Sequence, residues 1–208
     1  MTRIVALAAL LWAGLVHAQG AAKPEPAKTP AVNTQVCAAC HAADGNSIAP
    51  ANPKIAGQFP EYLYRQLANF KSQGGKKAER ESAVMSGMTA NLSDADMKSL
   101  AGYYAGQPLK PAAARDKELA AQGQKLFRGG NLASGVTACA GCHGPAGAGI
   151  PHQYPRIAGQ YAEYVEAQLK AFRAGSRAND PNGMMRGVAA RMTDREIQAV
   201  SEYVAGLR

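Results

Sequence analysis

Behind Pro60, the apolar residues Leu63, Leu67 and Phe70 recur at helical spacing, and in the second half of the chain Val165, Leu169 and Phe172 repeat the pattern. These side chains are expected to face a core. Ser93 with Asp96, and Thr193 with Glu196, have the spacing of a capping box. Each box leads into an apolar stripe, Met97, Leu100 and Tyr104 in the first case and Ile197, Val200 and Val204 in the second, so each half is expected to close with a helix. A further helix is predicted over residues 116–127, whereas the first half offers only the short stretch 29–36 at the corresponding place. No alternating run suited to a β-strand occurs, and glycine-rich segments such as residues 141–149 read as loops. The expected fold class is all-α.

The two halves are copies of each other. One constant offset carries Cys37, Cys40 and His41 onto Cys139, Cys142 and His143, and Pro53-Lys54-Ile55-Ala56-Gly57-Gln58 onto Pro155-Arg156-Ile157-Ala158-Gly159-Gln160. It also aligns residues 66–71 with 168–173, after which a slightly shorter offset brings the two capping boxes into register. Domains are therefore expected at residues 32–106 and 115–208, joined by a proline-containing linker at 107–114. Residues 1–18 read as a secretory signal: Arg3 precedes an apolar run that ends in Val16-His17-Ala18. The Ala, Pro and Lys tract at 19–31 reads as a flexible leader, and no later stretch has the length and apolarity of a membrane span.

Composition sharpens this picture in two respects. All four cysteines fall in the two Cys-x-x-Cys-His motifs, which leaves none for a structural disulfide in an exported protein. The formal net charge of +8 is spread over both halves rather than gathered in runs, which suits a solvated surface better than a nucleic-acid site. At most it favours acidic partner surfaces. Each half is small enough that a bulky apolar cofactor would add substantially to what it buries.

The motifs Cys37-Ala38-Ala39-Cys40-His41 and Cys139-Ala140-Gly141-Cys142-His143 have the form that attaches c-type haem. Two thiols form thioethers to the porphyrin edge, and the adjacent histidine is held where its imidazole binds iron. Thiolates two residues apart also suit zinc, and a redox dithiol shares the spacing. The histidine directly after the second cysteine in both copies, together with export, favours haem. An iron that only passes electrons needs a sixth ligand, and methionine is the usual partner that raises potential. Met88, Met97, Met184 and Met192 each fall opposite a different residue type in the other half; only Met85 and Met185 coincide, each eight residues before its helix cap. They are the candidate ligands. His152 falls opposite Pro50 and reads as a surface-loop residue, while Tyr62, Tyr64, Tyr103, Tyr104, Tyr161 and Tyr164 read as core or cofactor-pocket packing.

On both Cys-x-x-Cys-His motifs, both Pro-x-Ile-Ala-Gly-Gln segments and the Met-Arg-Gly-Val-Ala-Ala run at 185–190, residues 32–208 resemble the dihaem cytochromes c of the c4 class. The resemblance implies two tandem class I cytochrome c domains packed face to face, with two covalently bound haems c and His/Met ligation by His41, Met85, His143 and Met185. It also implies that the carbonyls of Pro53 and Pro155 accept a bond from the imidazoles of His41 and His143, fixing ring orientation. The function it implies is electron carriage toward a terminal oxidase, with no catalytic residue, between redox partner proteins that include a respiratory donor complex. The expected location is the periplasm, with peripheral membrane association left open. A rival reading is a dihaem oxidoreductase, or the cytochrome subunit of one, in sulfur-compound oxidation. A haem-based gas sensor would need an open iron and an output domain for which the chain has no room.

Overall fold

The computed structural model describes residues 34–72 and 74–208; the signal segment 1–18 and leader 19–31 lie outside them. Nine α-helices are found among the described residues. In the first half they are α1 (Thr34–His41), α2 (Pro60–Phe70), α3 (Ala83–Thr89) and α4 (Asp94–Ala105). The second half holds α5 (Lys117–Gly129), α6 (Ala140–His143), α7 (Ala162–Ala174), α8 (Met184–Ala189) and α9 (Asp194–Gly206), with a 3-10 turn at Pro181–Gly183 before α8. None of the described helices is long and apolar enough to cross a membrane.

Local chemistry explains where these helices begin. Pro60 occupies the first turn of α2, where its missing N–H is no loss. Ser93 and Thr193 each form a complete capping box, with Asp96 and Glu196 returning the bond to the cap amide. Asp116 caps α5 through the Leu119 amide, and that helix runs slightly beyond the stretch expected from its apolar pattern.

Domain two closes around Leu126, Phe127, Val136, Leu169, Met192, Ile197, Val200 and Val204, with Phe127 and Ile197 fully out of water. Burying each of these large side chains contributes about 1.5–3 kcal/mol. α5 lies along α9 so closely that a Cβ added at Gly123 would sit 1.9 Å from the Ala199 carbonyl oxygen. The core of domain one is thinner, built on Leu63, Leu100, Ala101 and Tyr104. Its described part starts at Thr34, and α1 runs straight into the first motif, so no described helix lies on α4 as α5 lies on α9.

Segment 107–114 is fastened at both ends. Asn46 donates to the Pro108 carbonyl at 2.9 Å and accepts from the Lys110 amide at 2.7 Å. Lys110 Nζ sits 2.7 Å from Asp44 and holds that carboxyl down at about 2. Further along, the Ala112 amide donates to Gly159 at 2.8 Å.

Gly123→Ala should lower the melting temperature by roughly 2–8 °C, because an overpacking cost of about 2–3 kcal/mol against backbone exceeds the ~1 kcal/mol of helix propensity gained and leaves a net loss of about 1–2 kcal/mol. Calorimetry on the intact protein reads this out. An unchanged or higher melting temperature would mean that α5 and α9 can separate without cost.

Candidate functional site

The repeated Pro-x-Ile-Ala-Gly-Gln segment organises each site. In domain one, the amides of Ile55 and Ala56 both donate to the Gly45 carbonyl, at 2.8 and 3.1 Å, and in domain two Ile157 and Ala158 donate to Gly147 at 2.9 and 3.1 Å. Gly57 then donates to Tyr104 at the end of α4, and Gly159 to Val204 in α9, at 3.0 and 2.9 Å. Each segment is thus tied to the loop after the cysteines and to the closing helix. So held, Pro53 O lies 2.9 Å from His41 Nδ1, and Pro155 O lies 2.9 Å from His143 Nδ1.

A proline carbonyl can only accept, so Nδ1 carries the proton in both rings and Nε2 is left with its lone pair. Burial pushes both imidazoles below the ordinary histidine value, against a smaller upward push from the proline bonds. Near neutral pH both rings are therefore uncharged, the form that binds a metal. Burial also raises the Cys37 thiol, and raises that of Cys139 to about 11. Cys40 and Cys142 face solvent, and none of the four cysteines is in a disulfide. Among the described residues, no three His, Cys, Asp or Glu side chains gather as a zinc cage requires.

Met85 lies half-buried in the first turn of α3, and Met185 half-buried in the first turn of α8, packed against the domain-two core together with Cys139 and Ala140. Their neighbours Met88 and Met184 are exposed, and Met184 Sδ lies 4.0 Å from the Tyr154 hydroxyl. His152 is exposed, has φ 66°, and approaches Glu61 of the other domain at 3.7 Å.

The two domains meet across a pseudo-symmetric seam. Gln58 donates to the Arg156 carbonyl at 2.8 Å and accepts from its amide at 3.0 Å, while Gln160 does the same to Lys54 at 2.8 and 3.0 Å. Next to them, Arg80 and Arg177 face each other as an antiparallel bridge, each stacked on a phenylalanine of its own domain, Phe70 and Phe172. Both are buried. Arg80 donates to Gln66, Gln168 and the Tyr164 hydroxyl, and Arg177 to Gln168, Gln66 and the Tyr62 hydroxyl. Burial alone would raise the Tyr62 phenol, but Arg177 and Arg80 outweigh it and leave it lowered. Three tyrosines expected in the core or cofactor pocket thus serve the seam: Tyr62, Tyr164, and Tyr161, which donates to the Ser47 carbonyl at 2.5 Å. Periodicity within one domain carries no information about a partner in the other.

Among the described residues neither buried guanidinium has a carboxylate at ion-pair distance, and Nε of Arg65 and of Arg156 is buried with no acceptor. Buried cations with only neutral acceptors are costly. This donor set fits a group that brings its own carboxylates, as haem does with its propionates.

The family model for cytochrome c matches the chain twice, at residues 26–105 and 120–208, and the chain belongs to the cytochrome c family. Within that family it is a dihaem cytochrome of the c4 class, an all-α electron-transfer protein with two covalently bound haems c. It is 50% identical to cytochrome c4 of Thiocapsa roseopersicina, over 83% of this chain and 87% of that one. The thiosulfate dehydrogenase electron acceptor of Thiomonas intermedia is 41% identical over 99% of this chain and 91% of its own length. The crystal structure of reduced cytochrome c4 from Pseudomonas stutzeri superposes with a TM-score of 0.79 at 44% identity, covering 84% of this chain and 95% of that one.

Replacing Gln58 and Gln160 together by alanine removes four bonds across the seam and should let the domains separate with both haems still attached. Small-angle scattering should then show a larger radius of gyration. An unchanged radius would mean that the remaining seam contacts, the arginine cluster and the Tyr161 bond to Ser47 among them, hold the domains together without the glutamines.

Proposed function

We propose that this chain is an exported, periplasmic electron carrier that accepts electrons from a respiratory donor complex and delivers them toward a terminal oxidase, with no catalysis of its own. Its domains span residues 32–106 and 115–208, with 107–114 between them. Cys37 with Cys40, and Cys139 with Cys142, hold the haems by thioether bonds. His41 and His143 would bind iron through Nε2, with Pro53 and Pro155 fixing each ring, and Met85 and Met185 would supply the thioether ligands.

The haem supplies reversible one-electron chemistry at iron. The protein's part is to keep its ligands still. The proline carbonyl sets the imidazole plane and tautomer, the buried ring neither gains nor loses a proton near neutral pH, and a half-buried thioether favours the reduced state. The observation that supports this reading most is the duplicated imidazole-to-proline bond, 2.9 Å in both domains, at two motifs with equivalent methionines. A carrier needs two closed irons, whereas an oxidoreductase needs an open one.

A second reading keeps the chemistry and changes the donor. Similarity to a thiosulfate dehydrogenase electron acceptor over nearly the whole chain favours a sulfur-oxidising dehydrogenase as the source of electrons.

Met85→Ala and Met185→Ala should each lower the potential of one haem, with both haems still attached, as potentiometric titration would show. Retained native ligation in either variant would remove the assignment in that domain. Aerobic membranes from the source organism should oxidise the reduced protein in a cyanide-sensitive way. Absence of that reaction, with rapid reduction by thiosulfate and its dehydrogenase, would replace the first reading with the second.

A further inference from the structure

The two methionines assigned to iron stand at the starts of short helices that are built differently. In domain one, Ser82 caps α3, its hydroxyl accepting from the Met85 amide at 3.3 Å, and Thr89 Oγ1 donates to the Met85 carbonyl at 3.0 Å. Both bonds are between neutral groups. The segment leading to them, from residue 71 to 82, is tied across the seam at Arg80, but the one ion pair among its described residues, Lys77–Glu81, has side chains 91% and 69% exposed. A pair so exposed restrains little.

In domain two the residue before α8 is Gly183, which has no side chain to cap with. Asp180 supplies the acceptor instead, its carboxylate only 3% exposed. Oδ2 accepts from the Arg186 amide at 2.9 Å, and Oδ1 from Arg186 Nε at 2.8 Å. Arg186 directly follows Met185, so the carboxylate grips the chain immediately beyond the ligand. Between the two, Asn182 and Gly183 adopt φ of 55° and 67°. A non-glycine residue in the left-handed region is disfavoured and persists only where its surroundings over-determine it. A buried carboxylate with two charge-assisted bonds does so. Upstream the two domains are alike, since Asn179 donates to Gln66 and Asn69 of domain one at 3.0 and 2.8 Å and Arg80 donates to Gln168 and Tyr164 of domain two, so the difference lies at the carboxylate.

We propose that Asp180 is a positioning residue for Met185, and that domain one, with a hydroxyl in the corresponding place, holds Met85 less firmly. An incoming ligand therefore displaces Met85 first. The inference rests on the assignment of Met85 and Met185 as iron ligands. Displacement is a substitution: an imidazole nitrogen lone pair replaces the thioether sulfur at ferric iron, and no electron is transferred.

The test is an imidazole titration of the oxidised holoprotein. It is followed by the methionine-to-iron charge-transfer band and by the two methionine methyl resonances, each assigned by its loss in Met85→Ala or Met185→Ala. In the unaltered protein the Met85 signal should disappear at the lower imidazole concentration. Asp180→Asn should lower the concentration that displaces Met185 by about tenfold and leave that for Met85 unchanged. Ser82→Asp should raise the concentration needed at Met85. A residue that only stabilised the domain would lower its melting temperature without this selective change. Release of Met185 first, release of both together, or an Asp180→Asn effect on both sites or neither would overturn the proposal. Should Asp180→Asn fail to fold, the order in the unaltered protein and the Ser82→Asp result decide it. Methionine variants that remove neither signal would overturn the ligand assignment as well, whereas correct assignments with an inert Asp180→Asn would overturn the positioning role alone.

Discussion

The bond from each imidazole to a proline carbonyl is the interaction around which the rest of the molecule is arranged. It specifies which nitrogen carries the proton and so which one faces a metal, and it holds the ring against rotation. The carbonyl stays in place because the following residues are fastened in turn: two amides to Gly45 or Gly147, and one to the closing helix. The capping box and apolar stripe of that helix thereby become part of the site's geometry. Local helix stability and imidazole orientation are coupled through a few backbone bonds.

The same segments also join the domains. Gln58 and Gln160 end the motif in each half, and each clamps the backbone of the other half's copy next to its proline. Whatever fixes one imidazole therefore fixes its position relative to the second. Beside this clamp, Arg80 and Arg177 are buried against amides and phenols, acceptors that recover only part of the cost of removing a charge from water. Such an arrangement suits a protein whose prosthetic groups carry carboxylates of their own. A rigid seam between two cofactor sites is what transfer between them needs, since each change of geometry would add to the barrier.

The helices and their starts were readable from the chain because they depend on neighbours a few residues away: Pro60 at a first turn, Ser93 and Thr193 with their acidic partners, Leu63 and Leu169 facing inward. The duplication was readable too, and it directed attention to Met85 and Met185 among seven methionines. It concealed the equivalence of Arg80 and Arg177. The loop before Arg80 is longer than its counterpart, while the approach from Arg177 to α8 is longer than that from Arg80 to α3. The two differences nearly cancel, so an alignment by offset passes over both arginines. Gln58, Gln160, Tyr62 and Tyr164 were visible only as a repeat or as helix residues, because their partners lie in the other domain. The sharp turn at Asn182 and Gly183 has no signal beyond a Pro-Asn-Gly sequence, which many loops share.

The proposed role as an electron carrier without catalysis depends on both irons being closed by two protein ligands. The most direct measurement is the visible spectrum of the purified protein, oxidised, reduced, and reduced under carbon monoxide, with the haem content per chain determined on the same sample. Two covalent haems per chain and no change on adding carbon monoxide are predicted. A carbon monoxide complex at either haem would reveal an open iron and contradict the account, moving the protein from electron carrier toward enzyme or sensor.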